Sequence, residues 1–266
     1  MAKVILSSDQ NIDYLFCVPI TSFVWGYFGF KPMIIILGKS KYTDLVYEYT
    51  MNYTNSEIFE IDYIPPYKDC TIVQFSRLYA ACLERDTNEY LLTGDIDMLI
   101  LNKYLYRDFD KMNLFGPDLT GWLQYPICYI GMTTDKWRNL LNIEYDKFHE
   151  NMIRDLKNDI FSSSSKFEHY WYSDQRLITK KIKQFGENNF NIIPRGTDVN
   201  LGGMATNRID RSHWIFDLNK DYIDCHMLMP VWNDNNFKMI HDVIKNKVER
   251  NSEWMIEYRE KFLEIK

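Results

Sequence analysis

Three short apolar runs separated by helical stretches constrain the N-terminal part of this chain more than any other feature. Lys3–Ser7, Met33–Leu37 (between Pro32 and Gly38) and Glu57–Ile61 (before Pro65-Pro66) have strand length and composition. Between them, Leu15–Phe30 is apolar and aromatic, and its Pro19 fits the first turn of a helix, where a missing N–H costs nothing. Tyr42–Tyr49 reads as a second helix. Strand–helix–strand–helix–strand predicts a parallel sheet with helices on both faces and a ligand at the carboxyl ends of the strands. No G-x-G-x-x-G follows the first strand, so a dinucleotide cofactor is not expected.

The chemistry concentrates in Tyr90-Leu-Leu-Thr-Gly-Asp-Ile-Asp-Met-Leu-Ile-Leu101. An apolar strand runs into two carboxylates, Asp95 and Asp97, and an apolar run resumes behind them. Acids in such a setting lose hydration and need a compensating positive partner. The chain supplies its own control. Asp108-Phe-Asp110 has the same spacing but follows Arg107 with no sustained apolar run before it, and reads as a solvated turn. For Asp95 and Asp97 two readings stand: a strand-end turn stabilised by its own acids, or a hard divalent cation, Mg²⁺ or Mn²⁺, with positions open for phosphate oxygens.

Thr71–Glu84 has helical periodicity, with Ile72, Phe75, Tyr79 and Cys82 as the buried stripe and Gln74 and Arg77 on another side. Leu105–Met112 is mostly polar, and Phe115-Gly-Pro-Asp-Leu-Thr-Gly121 is loop chemistry. Ile127–Met132 is the next expected strand, and Thr133-Thr-Asp135 caps a helix carrying Trp137, Leu140 and Leu141. Glu144–Asp159 reads as helix, Ser162–Ser165 as a loop, and Tyr-Ser-Asp174-Gln175 as the start of a helix through Ile182. Phe190–Ile193 and Trp214–Phe216 read as strands, Gly196–Arg211 as a Gly- and Asn-rich loop, and Tyr222–Met229 as an extended piece centred on His226. Two amphipathic helices, Asn236–Val248 and Ser252–Ile265, close the chain.

Composition excludes some function classes. A net charge of −6 argues against nucleic acid as the main partner. The five cysteines are odd in number and form no CxxC pair, so they read as reduced thiols of a cytoplasmic protein. The N-terminus enters a strand without an apolar leader, and no run is long enough to span a membrane. With 19 Tyr, 16 Phe and 7 Trp, the ring content suits a well-filled core, and less directly a sugar-binding surface.

The Tyr-Leu-Leu-x-x-Asp-x-Asp strand, placed between an N-terminal α/β half and an aromatic-rich second half, resembles nucleotide-sugar glycosyltransferases of the GT-A fold. It is most similar to the small glycosyltransferases encoded by large algal DNA viruses, and more distantly to glycogenin-like enzymes. The resemblance covers roughly residues 3–230 and implies an α/β fold: a Rossmann-like mixed sheet flanked by helices, with the C-terminal helices added. It divides one domain into a nucleotide-binding half (1–101), an acceptor-binding half (102–230) and a helical extension (231–266). For a viral protein it places the activity in the host cytoplasm.

The resemblance also implies roles. Asp97 would bind Mn²⁺ or Mg²⁺ directly, Asp95 the metal or the donor ribose, and His226 would be a third metal ligand, with Asp224 the alternative. Arg77 matches a Ser-Arg pair placed near the nucleotide, and Ser7 and Asp9 lie where base and ribose should sit. Asp174, near His169, Trp171 and Tyr172, is the expected base of an inverting transfer, or else simply a helix cap. Arg195, Arg208 and Arg211 are candidates for the diphosphate, and Gly121-Trp122 and Gly202-Gly203 for shaping sugar space. The donor is expected to be a nucleotide-diphosphate sugar, a UDP-sugar ahead of a GDP-sugar, and the acceptor a glycan. Two other readings stay open: a sugar nucleotidyltransferase using the same acids, and a non-catalytic carbohydrate-binding or scaffold protein on this fold.

Overall fold

A computed structural model describes residues 2–105, 109–116, 124–158, 170–194 and 207–266. Strands β1 (Lys3–Ser8), β2 (Lys31–Leu37), β3 (Glu57–Ile61) and β4 (Tyr90–Thr93) are parallel to their neighbours, in the order β3-β2-β1-β4. The chain then leaves this sheet. Its next strand, β5 (Met98–Ile100), belongs to a second, three-stranded sheet, while β6 (Met112–Gly116), β7 (Ile130–Thr133) and β8 (Phe190–Pro194) extend the first to seven strands. The pairs β4–β7 and β6–β7 are antiparallel, and β6–β8 is parallel. The smaller sheet is completed by β9 (Arg208–Ile209) and β10 (Asp224–His226), in the order β5-β10-β9.

Period-two alternation assigns the strand side chains to two helical layers. Val4, Leu6, Ile34 and Ile36 face one cluster, with helices α1 (Ile12–Leu15), α2 (Cys17–Tyr27) and α3 (Thr43–Tyr53). Ile5, Met33, Ile35 and Leu37 face the other, with α4 (Asp69–Tyr79), α5 (Thr134–Leu141), α6 (Phe148–Asn158) and α7 (Ser173–Phe185). This is the mixed α/β architecture expected from the order of elements. The expected α4 stripe is buried as well: Ile72, Phe75, Tyr79 and Cys82 are each fully inaccessible.

Five expectations are corrected. Tyr90–Leu101 is two strands in two sheets, parted at the acids, and the strand expected from Ile127 begins at Ile130. Met112–Gly116 is a strand although Phe115-Gly-Pro reads as loop, because buried Asn113 bonds Tyr90 Oη at 2.9 Å and Asn191 at 3.0 Å, partners invisible locally. Arg208–Ile209 is a strand inside the expected loop. Trp214–Phe216 lies outside the strands, and the chain there makes only an isolated bridge between Asp210 and His213. The serine run, Gly121-Trp122, Gly202-Gly203, Arg195, His169 and Asp108 lie outside the described residues, whereas Asp110 is exposed, as a solvated turn requires.

Helices α8 (Asp234–Lys247) and α9 (Trp254–Ile265) pack on the first layer through rings. Phe16 stacks on Tyr258 at 4.9 Å, Phe262 lies 4.8 Å from Phe16 and 4.7 Å from Tyr42, and Trp254 stacks on Tyr53 at 4.5 Å. Tyr258 Oη donates to the Phe16 carbonyl at 3.2 Å. No helix among the described residues is long and apolar enough to cross a membrane. Replacing fully buried Phe262 by alanine should cost about 3–5 kcal/mol in chemical denaturation. A loss near zero would mean that the C-terminal helices are an appendage.

Candidate functional site

The acids sit where the chain crosses from one sheet to the other. Gly94 fits tightly there: a Cβ would lie 3.0 Å from Val4 Cγ2 and 3.2 Å from Leu6 Cδ2, so a larger residue would press on both side chains. Helix α2 pins the crossing: Thr21 Oγ1 donates to the Ile96 carbonyl at 2.6 Å and Trp25 Nε1 to the Met98 carbonyl at 3.3 Å. β10 is antiparallel to β5 with His226 opposite Met98, and the Met227 N–H continues the pairing to the Asp97 carbonyl at 2.9 Å. That register brings His226 Nε2 to 3.2 Å from Asp97 Oδ2.

β9 adds a residue that the sequence did not disclose. It runs parallel to β10 with Ile209 opposite Cys225, so Asp210 falls beside His226, its carboxylate 3.6 Å from Nδ1. Burial lowers the affinity of His226 for a proton, but Asp210 and Asp97 outweigh it and push its pKa up to about 9. Contact with His226 in turn holds Asp210 well below the usual carboxylate range. Asp224, the alternative ligand, has other partners: Arg208 grips it through two bonds of 2.7 and 2.9 Å, and Tyr129 Oη donates to it at 3.0 Å.

Asp95 turns the other way, onto Arg77. The guanidinium also donates to the Gly94 carbonyl and, at 3.1 Å, to Asp174 Oδ2. Arg77 therefore joins the acid turn to the first turn of α7. Burial would raise the Asp95 pKa, yet Arg77 holds it below the ordinary value. In Asp174 burial prevails over the same arginine, and the carboxyl is pushed up to about 6. Its second oxygen accepts the Gln175 N–H at 2.7 Å, with the other oxygen on Arg77; the N-cap position is Tyr172, without a side-chain cap bond, so Asp174 sits inside the first turn and does not cap the helix.

Arg77, Asp95, Asp97, Asp174 and His226 line a cleft of about 240 Å³ at the carboxyl ends of β1 and β4, together with Ser7, Ser8, Asp9, Tyr14, Gln74, Trp171 and Arg211. β1 lies between β2 and β4, where the strand order reverses, the position at which open α/β sheets bind ligands. Ser7 Oγ donates to the Val73 carbonyl, and Asp9 accepts from the Asn11 N–H, so both brace the cleft wall. Arg77 Nε and Gln74 Oε1 are buried without a hydrogen-bond partner among the described residues. Unpaired polar atoms in such a place favour a ligand that satisfies them.

The residues fit a divalent cation in one particular way. Ligands at right angles on a hard cation, with bonds of about 2.1 Å, lie about 3 Å apart, close to the separation of Asp97 Oδ2 and His226 Nε2. Asp95 is held by Arg77, and no group of three His, Cys, Asp or Glu ligands is assembled among the described residues. The pair therefore suits a metal that arrives with phosphate oxygens of its own.

No protein-family model matches the chain, and no curated protein sequence matches it. Among solved structures, the galactosyltransferase LgtC in complex with donor and acceptor sugar analogs aligns over 95% of this chain and 98% of its own, with 12% identity and a TM-score of 0.50. This is the GT-A fold. The glycosyltransferase GlyE of Streptococcus pneumoniae TIGR4 aligns over 73% of this chain at 9% identity and a TM-score of 0.45, too slight a likeness to build on. This chain spans only 45% of the GlyE chain.

Arg77→Met should destabilise the protein by about 3–5 kcal/mol at pH 7, because two carboxylates lose their shared cation. The loss should shrink toward pH 5, where Asp174, with Arg77 no longer holding its pKa down, becomes neutral. Denaturant titrations at the two pH values test this; an equal loss at both would refute the electrostatic account.

Proposed function

We propose that this protein is a metal-dependent glycosyltransferase that moves a sugar from a nucleotide-diphosphate sugar to a hydroxyl of a glycan acceptor. The observation that carries the reading is the convergence, in one cleft at the strand-order reversal, of the Asp97–His226 pair with Asp174 across the Arg77 bridge. The described lining holds four carboxylates (Asp9, Asp95, Asp97, Asp174) against Arg77, Arg211 and His226. An acidic cleft repels a bare diphosphate, so a divalent cation reconciles anionic ligand and anionic wall. Named glycosyltransferases among the structures of this fold are consistent with this reading.

In it, Asp97 and His226 hold Mn²⁺ or Mg²⁺, and the ion when bound supplies Lewis-acid charge to the departing nucleoside diphosphate. Asp95, fixed by Arg77, faces the donor ribose or the metal. Ser7 and Asp9 border the base and ribose, and UDP is favoured over GDP as the nucleotide. Asp174 takes the proton of the acceptor hydroxyl as that oxygen bonds the anomeric carbon and the glycosidic bond to phosphate breaks, which inverts the centre. A carboxyl near 6 is ionised at neutral pH yet basic enough to share a proton. Trp171, on the same wall, offers a ring to the acceptor.

The test is a panel of UDP- and GDP-sugars with Mn²⁺, with and without EDTA, scored for released nucleoside diphosphate and transferred sugar. EDTA should abolish release, and Asp97→Asn should abolish metal-dependent nucleotide binding while Asp108→Asn leaves it intact. Binding of sugars without turnover would favour a carbohydrate-binding protein, and pyrophosphate release from a sugar phosphate and a nucleotide would favour a nucleotidyltransferase. For the base, kcat should fall as pH drops through about 6, because protonation removes the acceptor for the hydroxyl proton. Asp174→Asn should stop transfer and leave metal–nucleotide affinity unchanged. Retained transfer would remove Asp174 from the chemistry.

A further inference from the structure

Two of the three candidate arginines are described, and they differ sharply. Arg208, with 13% of its side chain accessible, is bound to both oxygens of the Asp224 carboxylate. Arg211 lines the cleft with 38% of its side chain accessible, and its Nη1 lies 3.0 Å from Asp97 Oδ2. That is the same oxygen that faces His226 Nε2 at 3.2 Å. One carboxylate oxygen thus has a guanidinium on one side and an imidazole on the other. Tyr14, also in the lining, is close enough to Arg211 to feel its charge.

A divalent ion using Asp97 Oδ2 and His226 Nε2 would meet Arg211 as a like charge at close range. The guanidinium would lose its anion to the metal and be driven off. More than a third of its side chain is accessible, and the nearest new anion is the diphosphate that would come with the metal. A guanidinium fork suits two phosphate oxygens. We propose that Arg211 is the diphosphate-binding residue of the cleft, exchanging its contact with Asp97 for the diphosphate when metal and nucleotide bind. This rests on the nucleotide-sugar reading above. Arg211 is a binding residue here; it releases Asp97 as it takes the leaving group.

The exchange predicts effects of opposite sign from one substitution. Binding is measured with Mn²⁺ alone by electron paramagnetic resonance, and with UDP, GDP, pyrophosphate and uridine in the presence of Mn²⁺ by calorimetry. Arg211→Gln removes a competing cation, so affinity for Mn²⁺ alone should rise, by about threefold or more. The same variant loses a charge-assisted contact, so affinity for the preferred nucleoside diphosphate and for pyrophosphate should fall by about ten- to a hundredfold, with uridine unchanged. Arg211→Lys keeps the charge without the fork, should fall between wild type and the glutamine variant, and guards against a folding defect. A structural role alone would lower all affinities together or none, and either result overturns the proposal. Unchanged diphosphate binding in Arg211→Gln, with wild type binding normally, sinks this proposal alone. Wild type that binds none of UDP, GDP or pyrophosphate with Mn²⁺ sinks the nucleotide-sugar reading and this proposal with it.

Discussion

The Arg77 guanidinium is the interaction on which the cleft depends. It sits in the interior between the acid turn after β4 and the first turn of α7, bonded to Asp95, to Asp174 and to the Gly94 carbonyl. Asp174 is buried and Asp95 half-buried, and without a shared cation the two would protonate or force the elements apart. One cation shared between them sets their spacing and their unequal proton affinities, Asp95 lowered and Asp174 raised. It also keeps Asp95 turned away from Asp97, which leaves Asp97 to pair with His226.

The second half of the cleft is built by backbone register. Asp97 immediately precedes β5, Asp210 immediately follows β9 and His226 ends β10, so the pairing of the small sheet places all three. Antiparallel pairing of β5 and β10 brings His226 to the acid, and parallel pairing of β9 and β10 brings Asp210 to the other nitrogen. An imidazole between two carboxylates favours a positive charge, whether proton or metal. Arg211 meets the same acid, Asp97, at 3.0 Å.

Legibility in the sequence followed the range of the interactions. β1, β2, β3 and α4 were readable because each announces itself by local composition or periodicity, β2 also by Pro32 and Gly38. β6 and β9 were not, since a buried asparagine bonded to Tyr90 and a two-residue strand have no local signature. Among site residues, Asp95 and Asp97 stood out by their apolar setting, and His226 and Asp174 through a resemblance. Asp210 carried no signal: in a polar loop it looks like any solvated acid. Arg77 was noticed, but as a cation facing a ligand; its two acid partners lie 18 and 97 residues away along the chain and could not be read from α4 alone.

The sequence by itself determined the alternating α/β order, the two-faced burial of the first strands, and the presence of paired acids that needed a cation. Those properties follow from periodicity and composition over short windows, where each residue's neighbours are already known. Only the tertiary structure decided which cation each acid receives: Arg77 for Asp95 and Asp174, His226 and Arg211 for Asp97, Arg208 for Asp224. Charge pairing acts over a few ångströms of space between groups far apart in the chain, and the register of two sheets, not the spacing of letters, brings them within reach.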